Sequence, residues 1–177
     1  MRRVALRALG SPEVLRITLI GLAVVVASGL VLVVVGVLLP ATTRSEREAL
    51  LRAPVPTVFA TVTDVADQAR WRSDVERVQV AENGLTWRET TGSGVEIAFR
   101  LIESRPNEAY VIEYESPQGF KGRWTGHFVS VGDTTRLTMT ETVTIASPIG
   151  RVIGRLVAPP GAHMERYLAD LQAALEA

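Results

Sequence analysis

The chain of 177 residues has no cysteine and, among nineteen basic residues, a single lysine, Lys121. Without cysteine there is no disulfide, no thiol nucleophile and no thiolate metal site. With one lysine, Schiff-base chemistry is confined to that position. The eighteen other basic residues are arginine, a bias that reads as GC-rich coding before it reads as chemistry. Net charge is also missing: nineteen basic residues balance nineteen acidic ones. A nucleic-acid partner, which needs a basic face, is therefore not expected. Histidine occurs twice, as His127 on the outward side of its strand and as His163 after Pro159-Pro160-Gly161. No third ligand stands at metal spacing and no Ser-His-Asp arrangement assembles, so neither a metal nor a cofactor is expected. Gly92, Gly94, Gly119 and Gly122 lack a strand–turn–helix context and make no phosphate-binding fingerprint.

What the chain does have is one long apolar run. Ile17 to Leu39 reads ITLIGLAVVVASGLVLVVVGVLL, without charge or proline. As a helix it is about 34 Å long, enough for the roughly 30 Å hydrocarbon core of a bilayer. The competing readings are a cleavable signal peptide and a core helix. A signal h-region is shorter, and Pro40-Ala41-Thr42-Thr43 matches a cleavage site poorly. A core helix apolar all round needs a much larger protein around it. The expectation is a single-pass protein of the cell membrane, with a basic flank over 1–16 and a span over 17–39. Arg2, Arg3, Arg7 and Arg16 precede the span and Arg44, Arg47 and Arg52 follow it. This excess places the N-terminus in the cytoplasm and the following domain outside it.

Residues 44–177 are one domain's worth of chain. Arg44–Ala53 fits a strand or a helix equally well. Val58, Phe59, Val62 and Val65 then share one helical face, with Pro56 in the first turn. A short helix or turn over Ala66–Asp74 holds Trp71 and Arg72. From there the period is two. Strands are predicted over Val75–Ala81, Leu85–Thr90, Val95–Glu103, Tyr110–Glu115, Gly122–Val131 and Thr134–Ile145, with turns at Asn83-Gly84 and Gly132-Asp133. Short turns and one apolar face predict an antiparallel meander. Its cover is expected from a C-terminal helical stripe, Ile149, Val152, Ile153 and Leu156, then Met164, Tyr167, Leu168, Leu171 and Leu175. Pro159-Pro160-Gly161 breaks that stripe into a short and a long helix.

This order of elements resembles the polyketide cyclase/dehydrase-related branch of the START/Bet v 1-like (SRPBCC) superfamily. The resemblance rests on APVPTVFATVTDV (Ala53–Val65), RWRSDVERVQV (Arg70–Val80), LTWRET (Leu85–Thr90), GRWTGHF (Gly122–Phe128) and TTRLTMTETVTIASPIGRVIGRLV (Thr134–Val157). It implies an α+β helix-grip fold, a curved antiparallel sheet wrapped round a long C-terminal helix, here preceded by one transmembrane helix. It further implies a mostly apolar cavity for lipids, polyketides or other hydrophobic small molecules.

Trp87, Phe99, Tyr114, Trp124, Phe128 and Met139 alternate onto the apolar face and, with Trp71 near the mouth, are the candidate ligand-binding residues; each can equally be core. Glu89 and Glu141 fall on the same face. Two carboxylates in one cavity could serve as acid and base, or each could end in an ion pair, Glu89 with Arg72 or Arg88. Arg72 could clamp an oxyanion, or pair with Asp64, Asp67 or Asp74. The function expected is a membrane-anchored binding domain for a hydrophobic small molecule or lipid. The alternative is a cyclase or dehydratase acting on an apolar carbonyl compound through Glu89, Glu141 or Arg72. A third class, an interaction module using the outer sheet face, is opposed by the Thr138, Thr140, Thr142, Thr144 row.

Overall fold

The computed structural model describes residues 12–157 and 159–177; Arg2, Arg3 and Arg7 of the basic flank lie outside them. Helix α1 runs over Pro12–Leu38, starting earlier than the apolar run. Its surface is exposed almost everywhere, with Gly36 its one buried residue. It is long and apolar enough to cross a membrane. Thr18 Oγ1 donates to the Val14 carbonyl at 2.8 Å, so the hydroxyl needs no partner outside the helix.

The ambiguous segment after it is a strand. β1 (Thr42–Leu51) pairs antiparallel with β7 (Thr134–Ile145) over ten residues, from Thr42 opposite Thr144 to Leu51 opposite Thr135. The alternation of half-buried and exposed positions along it is what pairing at a sheet edge requires. Helix α2 (Val55–Thr63) follows, with Pro56 in its first turn and Val55, Val58, Phe59 and Val62 buried. A 3-10 turn over Val65–Asp67 and the short helix α3 (Gln68–Trp71) lead into the sheet. Strands β2 (Val75–Val80), β3 (Thr86–Thr91), β4 (Glu96–Arg105), β5 (Ala109–Ser116) and β6 (Phe120–Val131) form a meander to β7. The order across the sheet is β1-β7-β6-β5-β4-β3-β2, all antiparallel. The first strand thus returns to pair with the last. This is the expected α+β helix-grip arrangement.

The core lies on the inner face. Leu51, Val58, Phe59 and Val62 meet Phe128, Leu137 and Met139 from the sheet and Met164 and Leu171 from α5 (Ala162–Glu176). Leu51, Val58, Leu137, Met139, Met164 and Leu171 are 1% exposed or less. Burying such a side chain stabilises the fold by about 1.5–3 kcal/mol.

One expectation is overturned. The stripe from Ile149 to Leu175 does not cover the sheet as a unit. α4 (Pro148–Val157) has no buried residue and leaves Ile149, Ile153 and Leu156 exposed, whereas α5 carries the whole covering role. The reason is steric. The face that α4 turns to β7 is glycine, with Gly150 and Gly154 lying so close to Ile145 that an added Cβ would meet it at 3.1 and 3.0 Å.

Candidate functional site

Three inward side chains on neighbouring strands make a continuous aromatic row. Trp87 on β3 lies opposite Phe99 on β4, and Phe99 lies opposite Tyr114 on β5. The Trp87 and Phe99 rings are stacked with centroids 5.3 Å apart, and Phe99 and Tyr114 are tilted at 5.5 Å. Each polar end of the row donates to a buried carboxylate. Trp87 Nε1 donates to Glu89 Oε1 at 3.0 Å, and the Tyr114 hydroxyl donates to Glu141 Oε1 at 2.5 Å. Glu89 is 2% exposed and Glu141 4%. The row therefore joins the two carboxylates that the alternation pattern placed on this face.

At the first pole, Arg72 is held on every side. Its Nη1 donates to Glu89 Oε2 at 3.0 Å and to Gln68 Oε1 at 2.7 Å. Nε and Nη2 grip Asp74 at 3.2 and 3.1 Å. The guanidinium also lies 5.6 Å from the centre of the Tyr167 ring. Burial works against the charge of Arg72, but Glu89 and Asp74 outweigh it and hold its pKa above the usual value. Burial likewise pushes Asp74 up, and the Arg72 charge and hydrogen bonds override that, holding it below the usual carboxylate range. Of the readings left open for Arg72 and Glu89, the contacts match the ion pairs: Arg72 with Asp74, and Glu89 with Arg72. Four of its five N–H donors are engaged in these contacts.

The second pole is different. Glu141 Oε2 lies 3.3 Å from His163 Nδ1, at the start of α5. Burial, then the charge and hydrogen bond of Glu141, raise the Tyr114 phenol far above its ordinary range, so it stays protonated and donates. Gly122 makes this geometry possible. A Cβ there would come within 2.4 Å of the Tyr114 ring and 2.7 Å of the Thr142 carbonyl, so only glycine lets the ring cross β6 towards Glu141 on β7. His163 is half-exposed, at 46%. Tyr114, Glu141 and His163 together form a chain of proton-bearing groups that runs from the buried row to solvent.

The remaining candidate residues stand elsewhere. Trp124, Phe128 and Met139 belong to the packed core, with Phe128 edge-on to Phe59 at 5.2 Å. Trp71 lies edge-on to Tyr167 at 5.3 Å, and its buried Nε1 has no hydrogen-bond partner among the described residues. His127 is exposed on the outer face. Among the described residues no group of histidine, aspartate and glutamate side chains is placed to hold a metal ion. Sequence reasoning missed two members of the site, His163 as the partner of Glu141 and Gly122 as the seat of Tyr114. A glycine inside a strand pattern was the available signal for the second.

α5 packs on α2, α3 and β1, and α2 on β6 and β7. Ile97, Phe99, Leu101, Ile112 and Tyr114 are left partly exposed on the inner face of β4 and β5. A groove of about 1050 Å³ is lined by Trp87, Phe99 and Tyr114 of the aromatic row together with Arg88, Arg100, Glu113, Arg123 and Thr142.

A family model described as polyketide cyclase / dehydrase and lipid transport matches residues 42–176. The chain belongs to this family. Solved structures agree on the fold. The chain is similar to the Zhui aromatase/cyclase from Streptomyces sp. R1128 (16% identity, TM-score 0.66, covering 76% of this chain and 94% of that one). It is also similar to a START superfamily protein from Mycobacterium smegmatis (16%, TM-score 0.64, 75% and 97%). A third likeness is norcoclaurine synthase from Thalictrum flavum, in complex with dopamine and hydroxybenzaldehyde (11%, TM-score 0.60, 76% and 87%). No curated protein matches the chain.

Proposed function

We propose that the chain is a membrane-tethered binding protein for a hydrophobic small molecule or lipid, seated on the inner face of β3–β5. The observation that carries this reading is the aromatic row. Phe99 and Tyr114 present partly exposed apolar surface inside the grip, where the helices stop short of covering it. An apolar ligand placed there gains roughly 25 cal/mol for each Å² withdrawn from water. α1 supports the tether, and the charge excess before the span supports an extracytoplasmic domain. The break at Pro159-Pro160-Gly161, just before His163, is the element we assign to ligand entry.

Native mass spectrometry of the full chain in nanodiscs, after exposure to a membrane lipid extract, tests the assignment. A retained apolar adduct is expected, with occupancy falling several-fold in Phe99→Asp. A folded chain that stays ligand-free in every extract rejects it.

One observation favours a second reading, an enzyme of the cyclase or dehydratase type on an apolar carbonyl compound. Glu141 bridges a phenol and an imidazole, and the His163 side chain is 46% exposed. A carboxylate that fixes one imidazole nitrogen leaves the other to accept a proton. Under this reading Glu141→Gln abolishes turnover and retains ligand.

A further inference from the structure

α4 is amphipathic, and nothing in the described fold covers its apolar side. At 100° per residue, Ile149, Val152, Ile153, Leu156 and Val157 occupy one arc of about 140°. Gly150 and Gly154 adjoin it, and Arg151 and Arg155 lie across from it. The glycine side meets Ile145. The apolar side is open: Ile149 is 47% exposed, Ile153 54%, and Leu156 and Val157 78% each. Four large apolar side chains adjoining one another in solvent mark a surface with a partner.

The position of α4 identifies that partner. Its first residue is pressed against the end of α1, where a Cβ on Gly36 would come within 2.1 Å of the Pro148 carbonyl. Arg151 then ties the two helices together. It donates to the carbonyls of Gly36 at 3.3 Å and Leu39 at 3.4 Å, and to those of Ile145 and Ala146 at 2.9 Å each. The Gly36 carbonyl belongs to the last turn of α1, where intrahelical donors run out, and Leu39 follows that turn directly. A hydrocarbon core of about 30 Å takes twenty residues of helix, so counting from Ile17 it ends at Gly36. α4 therefore meets α1 at the depth where acyl chains give way to headgroups.

We infer that α4 is an interfacial helix lying in the headgroup–acyl boundary of the bilayer that α1 crosses. Ile149, Ile153, Leu156 and Val157 are immersed, and Arg155 extends towards phosphate. This rests on the membrane-tether reading proposed above. It also gives that reading a geometry, because α4 leads through Pro159-Pro160-Gly161 into α5 and so sets His163 and Glu141 beside the membrane surface.

The chain has no cysteine to remove, so single spin labels report depth directly. Full-length Ile153→Cys and Leu156→Cys, labelled and reconstituted in phosphatidylcholine/phosphatidylglycerol vesicles, are compared with Val31→Cys in α1 and Ser130→Cys on the exposed end of β6. Expected is an oxygen-to-nickel accessibility ratio at 153 and 156 several-fold above that at 130 and near that at 31. Water-like labels at 153 and 156 with a lipid-like label at 31 overturn the interfacial helix and leave the tether standing. Water-like labels at all four positions overturn both. Labels at 153 and 156 shielded from both reagents also overturn it, and assign the face to a second copy or another protein.

Discussion

Glu89 and Glu141 lie on the same inner face, are almost equally buried, and are reached by the two ends of one aromatic row, yet their partners differ in kind. Glu89 faces a permanent cation, Arg72, which is itself closed off by Asp74 and Gln68. Glu141 faces a phenol that stays protonated and an imidazole, neither of them a permanent cation. Burial alone therefore does not make a carboxylate reactive. A buried carboxylate paired with a permanent cation is a brace, whereas one held by a phenol and an imidazole has no fixed counter-charge.

The largest break in that comparison is expected at the brace. Arg72→Ala leaves Glu89 buried without its cation, which costs about 3–5 kcal/mol. Denaturant unfolding of the full chain, followed by tryptophan fluorescence, should register it. The double variant Arg72→Met with Glu89→Leu should regain most of the loss, because it removes the orphaned charge along with the pair. A single variant as stable as the parent would show that the brace carries no weight.

Next in size is Gly122→Ala. The added methyl meets the Tyr114 ring and the Thr142 carbonyl, and overpacking of this kind costs about 1–3 kcal/mol. The Tyr114–Glu141 bond should be lost with it, while the Glu89 pole stays intact. Tyr114→Phe removes the same bond without the clash and should cost only about 1 kcal/mol. The difference between these two variants separates steric seating from hydrogen bonding. Equal losses would place the whole effect in the bond.

What was legible beforehand follows from the range of each interaction. β2 to β7 were readable because the period of two is written locally, and Asn83-Gly84 fixed a turn that Asn83 Oδ1 indeed ties to the amides of Leu85 and Thr86. β1 stayed ambiguous because its partner Thr144 lies 102 residues from Thr42. The stripe on α4 and α5 was visible, but its two halves look alike in sequence. Only the glycine face against Ile145 and the crossing at Gly36 decide that one half buries its apolar stripe and the other leaves it exposed. For the site, the inward alternation of Glu89 and Glu141 and the pairing options of Arg72 were on the page. The contact of His163 with Glu141 depends on the path through Pro159-Pro160-Gly161, which no local pattern encodes.

The smallest expected effects fall at the two ends of the pH scale, one for each pole. Asp74, with its pKa lowered by Arg72 against the opposing effect of burial, binds fewer protons folded than unfolded just below its ordinary value of 3.8. Its contribution to stability is thus present above about pH 4 and drains away as the pH falls. The Tyr114 phenol is shifted the other way, raised above its ordinary 10.0 by burial and by Glu141. Its contribution is complete below pH 10 and drains as the pH climbs, because the unfolded chain ionises first. Tyr110 and Tyr167 are raised by burial as well, and Glu113 is lowered by Arg100 and Arg123, so each limb is shared. The Asp74 part of the acid limb belongs to the Arg72 pole and the Tyr114 part of the alkaline limb to the Glu141 pole. Denaturation midpoints measured across pH should show a shallower acid limb in Asp74→Asn and a shallower alkaline limb in Tyr114→Phe. If either substitution flattened both limbs, the poles would be coupled through the aromatic row, and the two carboxylates would have to be treated as one titrating system.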